Sequence, residues 1–571
     1  MAEVLSLVDL EIPQVTDKYY KFDTFKHLIC HLFKKTSTET DSNVPIVIIF
    51  PTNNDIPSRK TRSTTTTTTT TTTTNTSKLD NLPFSDKSLL IQFFFTHLNI
   101  LMIQGENSDE GKLYQEISSA KELLTNRISR VGNWTGTTHF RYCRHENDCG
   151  LLNQHSKIAG IIPTMTYILN CNATRSEIAT NQLIYLYRLM IEEINFIELL
   201  QDASTTRLSQ LCYAVGHWSF PAHNLSNDDL VYCVYLMIDY AIKQVEGFDN
   251  IPLNELLAFI FIVRDTYKNG NPFHNFRHAV DVLQACFHFL IRLGSLPKFK
   301  QFVEDPKLDY TEVHDTHTVL IALQNNSSEE KASLNPIQTL GLLVAALGHD
   351  VGHPGTTNDF MIKFSAPTAL LYNDRSVLES YHASLFINKV LRICWPDLLT
   401  CTIEEKSELT IRSLIISSIL ATDMGEHNEY VNRLKSFKTH NEILNHDNTV
   451  KLISALLIKC ADISNVTRPL RVSAQWAMVL SREFAEVELL KSVIKKDIDL
   501  DFTKDLTYDD VPHELREILE IQPDIHKGQI FFINLFAENL FNSVSDLLPQ
   551  LQYTCDIIME NKLFWLERAK K

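Results

Sequence analysis

Several features are scarce or missing in this chain of 571 residues, and each absence narrows what it does. The eleven cysteines are scattered, odd in number and never spaced as Cys-x-x-Cys. A secreted disulfide scaffold is small and dense in cysteine, so reduced thiols in the cytoplasm are expected, with the nucleus also open. No Lys/Arg-rich block offsets the net charge of −16. Phosphate binding leans on Lys and Arg, so a nucleic-acid partner is disfavoured, and no protein partner is legible either. Apolar runs such as Leu256–Val263 and Leu340–Leu347 fall far short of the roughly 18 residues of a membrane span. They read as core helices. The first residues carry Glu3, Asp9 and Glu11, which argues against a secretory or transit peptide. The sequons at Asn133 and Asn172 are therefore read as chance.

What is present suggests two styles of chain. Within residues 1–130, Val44–Phe50 and Leu89–Phe95 are short apolar runs with the length of buried strands, and Asn99–Gln104 is a further candidate. Helical stretches at Asp23–Lys35 and Glu110–Arg127 would alternate with them, giving a small α/β region without a nucleotide-binding glycine loop. Its poly-Thr tract, Thr64–Thr74, buries no apolar area and reads as a disordered loop over about residues 55–80. Residues 131–204 read as a helical connector. From 205 to 571 glycine is sparse and apolar residues recur at three- and four-residue spacing, which predicts an all-helical bundle. Helices are expected at Leu230–Val245, Glu255–Lys268, Val280–Leu293, Ile411–Ala421, Leu452–Ala461 and Gln475–Leu490. Asn335-Pro336 fits an N-cap followed by proline at the first helical position, opening a central helix through Leu347.

The chemistry concentrates in His274-Asn275-Phe276-Arg277-His278 and in His349-Asp350-Val351-Gly352-His353. Each sets two imidazoles four residues apart, hence on one face of a helix. The second also places a carboxylate beside an imidazole. Such groups hold divalent ions that activate water, so metal-dependent hydrolysis is the first expectation. A single His-Asp pair is usually a surface accident. A third acid, Asp462, follows another apolar segment, where a carboxylate is expensive unless paired or bound to a cation. The plainer reading of Asp462 is an N-cap for the next helix.

The order His278, His349-Asp350, Asp462 resembles the HD superfamily of metal phosphohydrolases. Longer strings narrow the resemblance: Phe273-His274-Asn275-x-x-His278-Ala279-x-Asp281-Val282, His349-Asp350-x-x-His353-Pro354-Gly355-x-x-Asn358, Tyr372-Asn373-Asp374-x-Ser376-Val377-Leu378-Glu379, Ala421-Thr422-Asp423-Met424 and Asp462-Ile463-Ser464-Asn465. Together they are similar to class I cyclic-nucleotide phosphodiesterases, in particular the fungal high-affinity cyclic-AMP branch. The resemblance covers roughly residues 205–564. It implies a hydrolase of 3′,5′-cyclic AMP, forming 5′-AMP and damping signalling through cyclic AMP and protein kinase A. His278, His349, Asp350 and Asp462 would hold a first metal, zinc. Asp350 would bridge to a second, magnesium or manganese, with hydroxide held between the two. His353, Glu379 and Thr422 would orient metal-bound water, and His274 would be the general acid, kept cationic by a nearby carboxylate.

The resemblance also implies a purine pocket, with Gln529 hydrogen-bonding the base edge, Phe532 stacking on one face, Leu480 on the other, and Asn465 touching the base. Without it, Phe531 and Phe532 would read as core. Three positions depart from the common family pattern. Phe273 stands where tyrosine is usual, Gly352 where aspartate is frequent, and Tyr381 opens what is often a His-His pair. Two alternatives stay open in the sequence. One is another HD-type phosphohydrolase acting on a nucleotide or cyclic dinucleotide, the other dual action on cyclic AMP and cyclic GMP. A cyclic-nucleotide-binding protein without activity would be expected to have lost ligands.

Overall fold

The computed structural model describes residues 3–7, 18–35, 46–51, 77–105 apart from 97 and 99, single positions between 115 and 135, 176–246 apart from 203, 251–310 apart from 269, 334–401, 409–440, 446–494 and 510–570. Two compact units divide at Leu199/Leu200.

The first unit is built on a parallel sheet of β1 (Glu3–Ser6), β2 (Lys18–Lys21), β3 (Ile46–Pro51) and β4 (Ile100–Gly105), in the order β2-β1-β3-β4. Strand β3 reads Ile-Val-Ile-Ile-Phe without alternation and is buried from Ile46 to Phe50. An inner strand of a parallel sheet is covered on both faces, which is why the run is continuous. Helix α1 (Phe25–Lys35) buries Leu28, Ile29, Leu32 and Phe33 on one face. Its last residue, Lys35, forms a buried ion pair with Glu3 of β1, and His31 approaches the same carboxylate at 3.2 Å.

The run Leu89–Phe95, expected as a strand, lies largely in helix α2 (Phe84–Phe94). An all-apolar run has no period to separate strand from helix. Here the start signal decides, with Pro83 at the N-cap and Asp86 in the first turn. Strands β1 and β2 were not expected, whereas the strand at 99–104 and the one at 44–50 appear within two residues of their expected limits. Helix α3 (Ser176–Glu193) belongs to this unit and packs on α2. The poly-Thr tract and most of 110–127 lie outside the described residues.

Among the described residues of the second unit, the regular elements are all helices. Its centre is α4 (Pro336–Gly348), which starts as expected: Asn335 accepts from the Gln338 N–H at 2.9 Å, Gln338 answers at 3.0 Å, and Pro336 occupies the first turn. Every residue from Gln338 to Gly348 is buried. Around α4 pack α5 (Ile411–Leu420) and, ahead of it in the chain, the helix Phe276–Arg292 that carries His278. The helix His446–Asp462 packs on both of those neighbours and ends at its acidic residue. The long helix Leu470–Ile494 follows, and the helix Ile525–Phe532 packs against it.

Arg468 locks two of these elements together. It is fully buried and donates to Asp281 Oδ1 (2.9 Å), Gln284 Oε1 (2.7 Å) and the Trp218 carbonyl (2.6 Å). Thus the chain just past Asp462 is tied to the helix of His278. The network places two distant segments within reach of each other before any ligand chemistry is considered.

Candidate active site

Local chain geometry explains why each histidine points where it does. Asn275 caps the helix Phe276–Arg292 by accepting from the His278 N–H at 3.2 Å, so His278 sits in the first turn, buried. His349 is the C-cap of α4, and Asp350 begins the turn that leaves it. That turn is held from beneath, since Gly352 N–H donates to the Thr266 carbonyl at 3.0 Å. Gly352 has φ +72°, and a Cβ there would come within 2.6 Å of Leu385 and 3.2 Å of Tyr381. A side chain at position 352 would therefore meet Tyr381, another of the departures from the family pattern.

The structure brings His278, His349, Asp350 and Asp462 together, with one ligand atom from each within 4.8 Å of the others. His278 Nε2 lies 3.2 Å from Asp462 Oδ1, and His349 Nε2 lies 3.1 Å from Asp350 Oδ2 and 3.3 Å from Asp462 Oδ1. Asp462 ends its helix, and Ile463 is the residue that caps the next turn, so the reading of Asp462 as a cap does not hold.

The donor set itself tests whether a cation belongs here. His349 Nδ1–H donates to the Ala346 carbonyl at 2.8 Å, which leaves a lone pair on Nε2. That lone pair faces two carboxylate oxygens without forming a directed hydrogen bond. Acceptor facing acceptor in a buried site is repulsive unless a positive charge sits among them. Without a metal that charge is a proton. Burial opposes it, but Asp350 and Asp462 raise the His349 pKa well above the usual range. Nitrogen and carboxylate donors on rigid, buried elements suit a divalent ion.

A second cluster adjoins the first. His274 Nδ1 contacts Glu483, and the same carboxylate accepts from the backbone N–H of Phe273 (2.9 Å) and of His274 (3.0 Å). Burial would lower the His274 pKa, yet Glu483 more than reverses this and raises it to about 9. Burial likewise opposes the Glu483 charge, but His274 brings its carboxyl down to about 2. His353 stacks on His274, centroids 4.0 Å apart, and goes the opposite way. Burial and the neighbouring His274 charge push it well below the usual range. Its Nδ1 accepts from the Gly355 N–H at 3.0 Å, so the neutral ring carries its proton on Nε2. Two stacked imidazoles driven apart in this way separate a proton donor from a neutral partner.

Glu379 accepts two bonds from Asn358 Nδ2 (2.9 and 3.2 Å), and burial together with Asp423 raises its pKa to about 7. The Thr422 hydroxyl is buried and donates to the Ile419 carbonyl at 2.8 Å. His382 was not singled out as functional, yet it joins Asp350 and His353 in a third cluster, with Nε2 3.6 Å from Asp350 Oδ1. Glu483 was anticipated only as an unnamed carboxylate. Its signal is an acid at apolar spacing, four residues from Val479 and from Val487, both buried.

Gln529 is 5% exposed, and its amide oxygen has no partner among the described residues. Phe531 is 64% exposed and Phe532 half-buried, so the reading of the pair as core fails. Leu480 is half-buried on the helix that packs against that of Gln529, and Asn465 is buried on the turn after Asp462. Phe273 lines the metal side, its ring 4.5 Å from that of His278 and 5.6 Å from Trp476.

Residues 273–558 match the family model of 3′5′-cyclic nucleotide phosphodiesterases. The chain belongs to this family. The phosphodiesterase is 30% identical over 517 residues to 3′,5′-cyclic-nucleotide phosphodiesterase 2 of Saccharomyces cerevisiae, spanning 84% of this chain and 85% of that protein. The 3′,5′-cyclic-AMP phosphodiesterase of Drosophila melanogaster is 29% identical over 323 residues, 55% of this chain and 25% of that one. The crystal structure of yeast caPDE2 is 92% identical, covers the whole of both chains and superposes with a TM-score of 0.87. The enzyme is thus a 3′,5′-cyclic-nucleotide phosphodiesterase with a His/Asp cluster able to bind a metal. Among the described residues no helix is long and apolar enough to cross a membrane.

Proposed function

We propose that the enzyme hydrolyses 3′,5′-cyclic AMP to 5′-AMP in the cytoplasm, with His274 as general acid. The observation that carries this reading is the His274–Glu483 pair standing beside the His/Asp cluster. His278, His349, Asp350 and Asp462 would hold a first metal, and imidazole plus carboxylate favours zinc. Asp350 would also serve a second metal, magnesium or manganese, and His353, Glu379 and Thr422 would orient the water it brings. When bound, such ions neutralise phosphate charge and make water nucleophilic near neutral pH.

The protein's own part is proton placement and substrate positioning. His274, cationic below about pH 9, donates its proton to the departing 3′ oxygen. Glu483 keeps the ring oriented through Nδ1, leaving Nε2–H as the donor. With its side chain 24% exposed, His274 regains the proton from solvent after each turnover. Gln529 offers its amide, whose oxygen has no partner among the described residues, to the base edge, while Phe532 and Leu480 bracket the ring. A glutamine amide fits adenine or guanine, and Asn465 together with the overall likeness favours adenine.

His274→Ala is expected to cut turnover by roughly 10²–10⁴ while metal content persists. Turnover near that of the parent enzyme would overturn the assignment. Parallel assays on cyclic AMP, cyclic GMP and dGTP, with and without chelator, separate this reading from other metal phosphohydrolases.

A further inference from the structure

A fully buried lysine lies in the same helix as Asp462, one turn before it. Lys459 has no exposed surface, and its Nζ donates to the carbonyls of Ala421 and Asp423, both at 2.9 Å. These two carbonyls flank Thr422. Nothing in the proposed chemistry uses this residue, yet burying a charged amine is costly unless its donors are satisfied. Its third donor direction has the Tyr430 ring nearby, with Nζ 5.5 Å from the centroid.

The turn that Lys459 grips is fastened on its other side as well. The Asp423 carboxylate accepts from Ser376 Oγ (2.7 Å) and from the Gly425 N–H (2.7 Å). Ser376 is the N-cap of the helix Val377–Leu385, held at φ +40°, where a residue other than glycine is strained. Three residues on stands Glu379, bonded to Asn358. A continuous chain of contacts therefore runs from the Asp462 helix, through the Lys459 ammonium and the 421–423 backbone, to the helix of Glu379. Strain at Ser376 persists only because its surroundings hold it, and Lys459 lies at the opposite end of that hold.

We propose that Lys459 is a positioning residue that fixes Thr422 and Glu379 relative to Asp462, so that the second divalent ion finds its outer partners already in place. This deepens the two-metal reading above and rests on it. Burial lowers the Lys459 pKa, and the carboxylates of Asp462, Asp423 and Glu379 around this turn counter that in part.

The test is Mn²⁺ binding to purified enzyme retaining its first metal, followed by isothermal titration and electron paramagnetic resonance. Lys459→Met preserves length while deleting donors and charge. It should weaken Mn²⁺ by roughly 10–100-fold, as loss of an outer partner typically does, with tightly held zinc unchanged. kcat should fall at limiting Mn²⁺ and recover at saturating Mn²⁺, with KM for cyclic AMP little moved. Lys459→Arg, which keeps the charge and the donors, should restore most of the affinity. Unchanged Mn²⁺ affinity in Lys459→Met would overturn the proposal. Should that variant not fold, Thr422→Val, which leaves the clamp intact, must weaken Mn²⁺ by itself, and failure to do so overturns it equally. If the parent enzyme binds no second ion, the two-metal reading fails instead.

Discussion

Replacing Glu483 with glutamine keeps the shape of the His274 partner and removes its charge. In the parent, the His274 pKa stands at about 9 against an ordinary 6.5. That difference corresponds to roughly 3 kcal/mol in favour of the cation. Burial acts in the other direction, and Asp350 and Asp462, which also raise the pKa, are neutralised when a cation sits between them, so in the metal-loaded variant the ring should titrate near or below its ordinary value. At pH 7 the cationic fraction should then fall from about 99% to about a quarter or less. The sign follows directly. A raised pKa makes the acid form available below about pH 9, and activity is lost as pH rises through that value. The same pair stabilises the fold most between about pH 4.5 and 6.5; its contribution fades as pH rises from 6.5 to about 9 and as pH falls from 4.5 toward 2. In Glu483→Gln the alkaline limb of the kcat/KM profile should move down by about two pH units or more. Activity lost at pH 8 should then return in part at pH 6. Stopped assays on cyclic AMP across pH 5.5–9.5, with zinc measured in each sample, decide the matter. An alkaline limb left near pH 9 would refute the pairing as the source of the acid.

Three further outcomes follow from the geometry. Asp462→Ala should lose bound metal by elemental analysis, because one of four converging side chains is removed; a variant with its full metal content would count against a ligand role. Gln529→Ala should raise KM for cyclic AMP with metal content unchanged, since its amide oxygen has no partner among the described residues. Arg468→Met strands the Asp281 carboxylate in the interior, and breaking such a pair costs about 3–5 kcal/mol, visible as a lower melting temperature.

How much was legible depended on whether the signal was local. Asn335-Pro336 announced its helix because capping is written within four residues. Three of the four side chains that converge were legible because His349-Asp350 and His274–His278 are short strings. Leu89–Phe95 misled because an unbroken apolar run has no period, and the helix start at Pro83–Asp86 lies outside it. Strands Glu3–Ser6 and Lys18–Lys21 are four residues each and become strands only through their partners. Glu483 and Lys459 escaped for a different reason. Each is a charge on an apolar face, and its purpose appears only across 209 and about 36–38 positions respectively.

The pairing of His278 with Asp462 spans 184 positions, which has a consequence for synthesis. Closing so long a loop costs little more than closing one half as long, about 0.6 kcal/mol. The penalty is one of timing. A ribosome adding roughly 5–20 residues each second exposes the first imidazoles many seconds before their carboxylate partner emerges. Through that interval the cluster lacks one of its four side chains, and it is completed only once residue 462 has been threaded out.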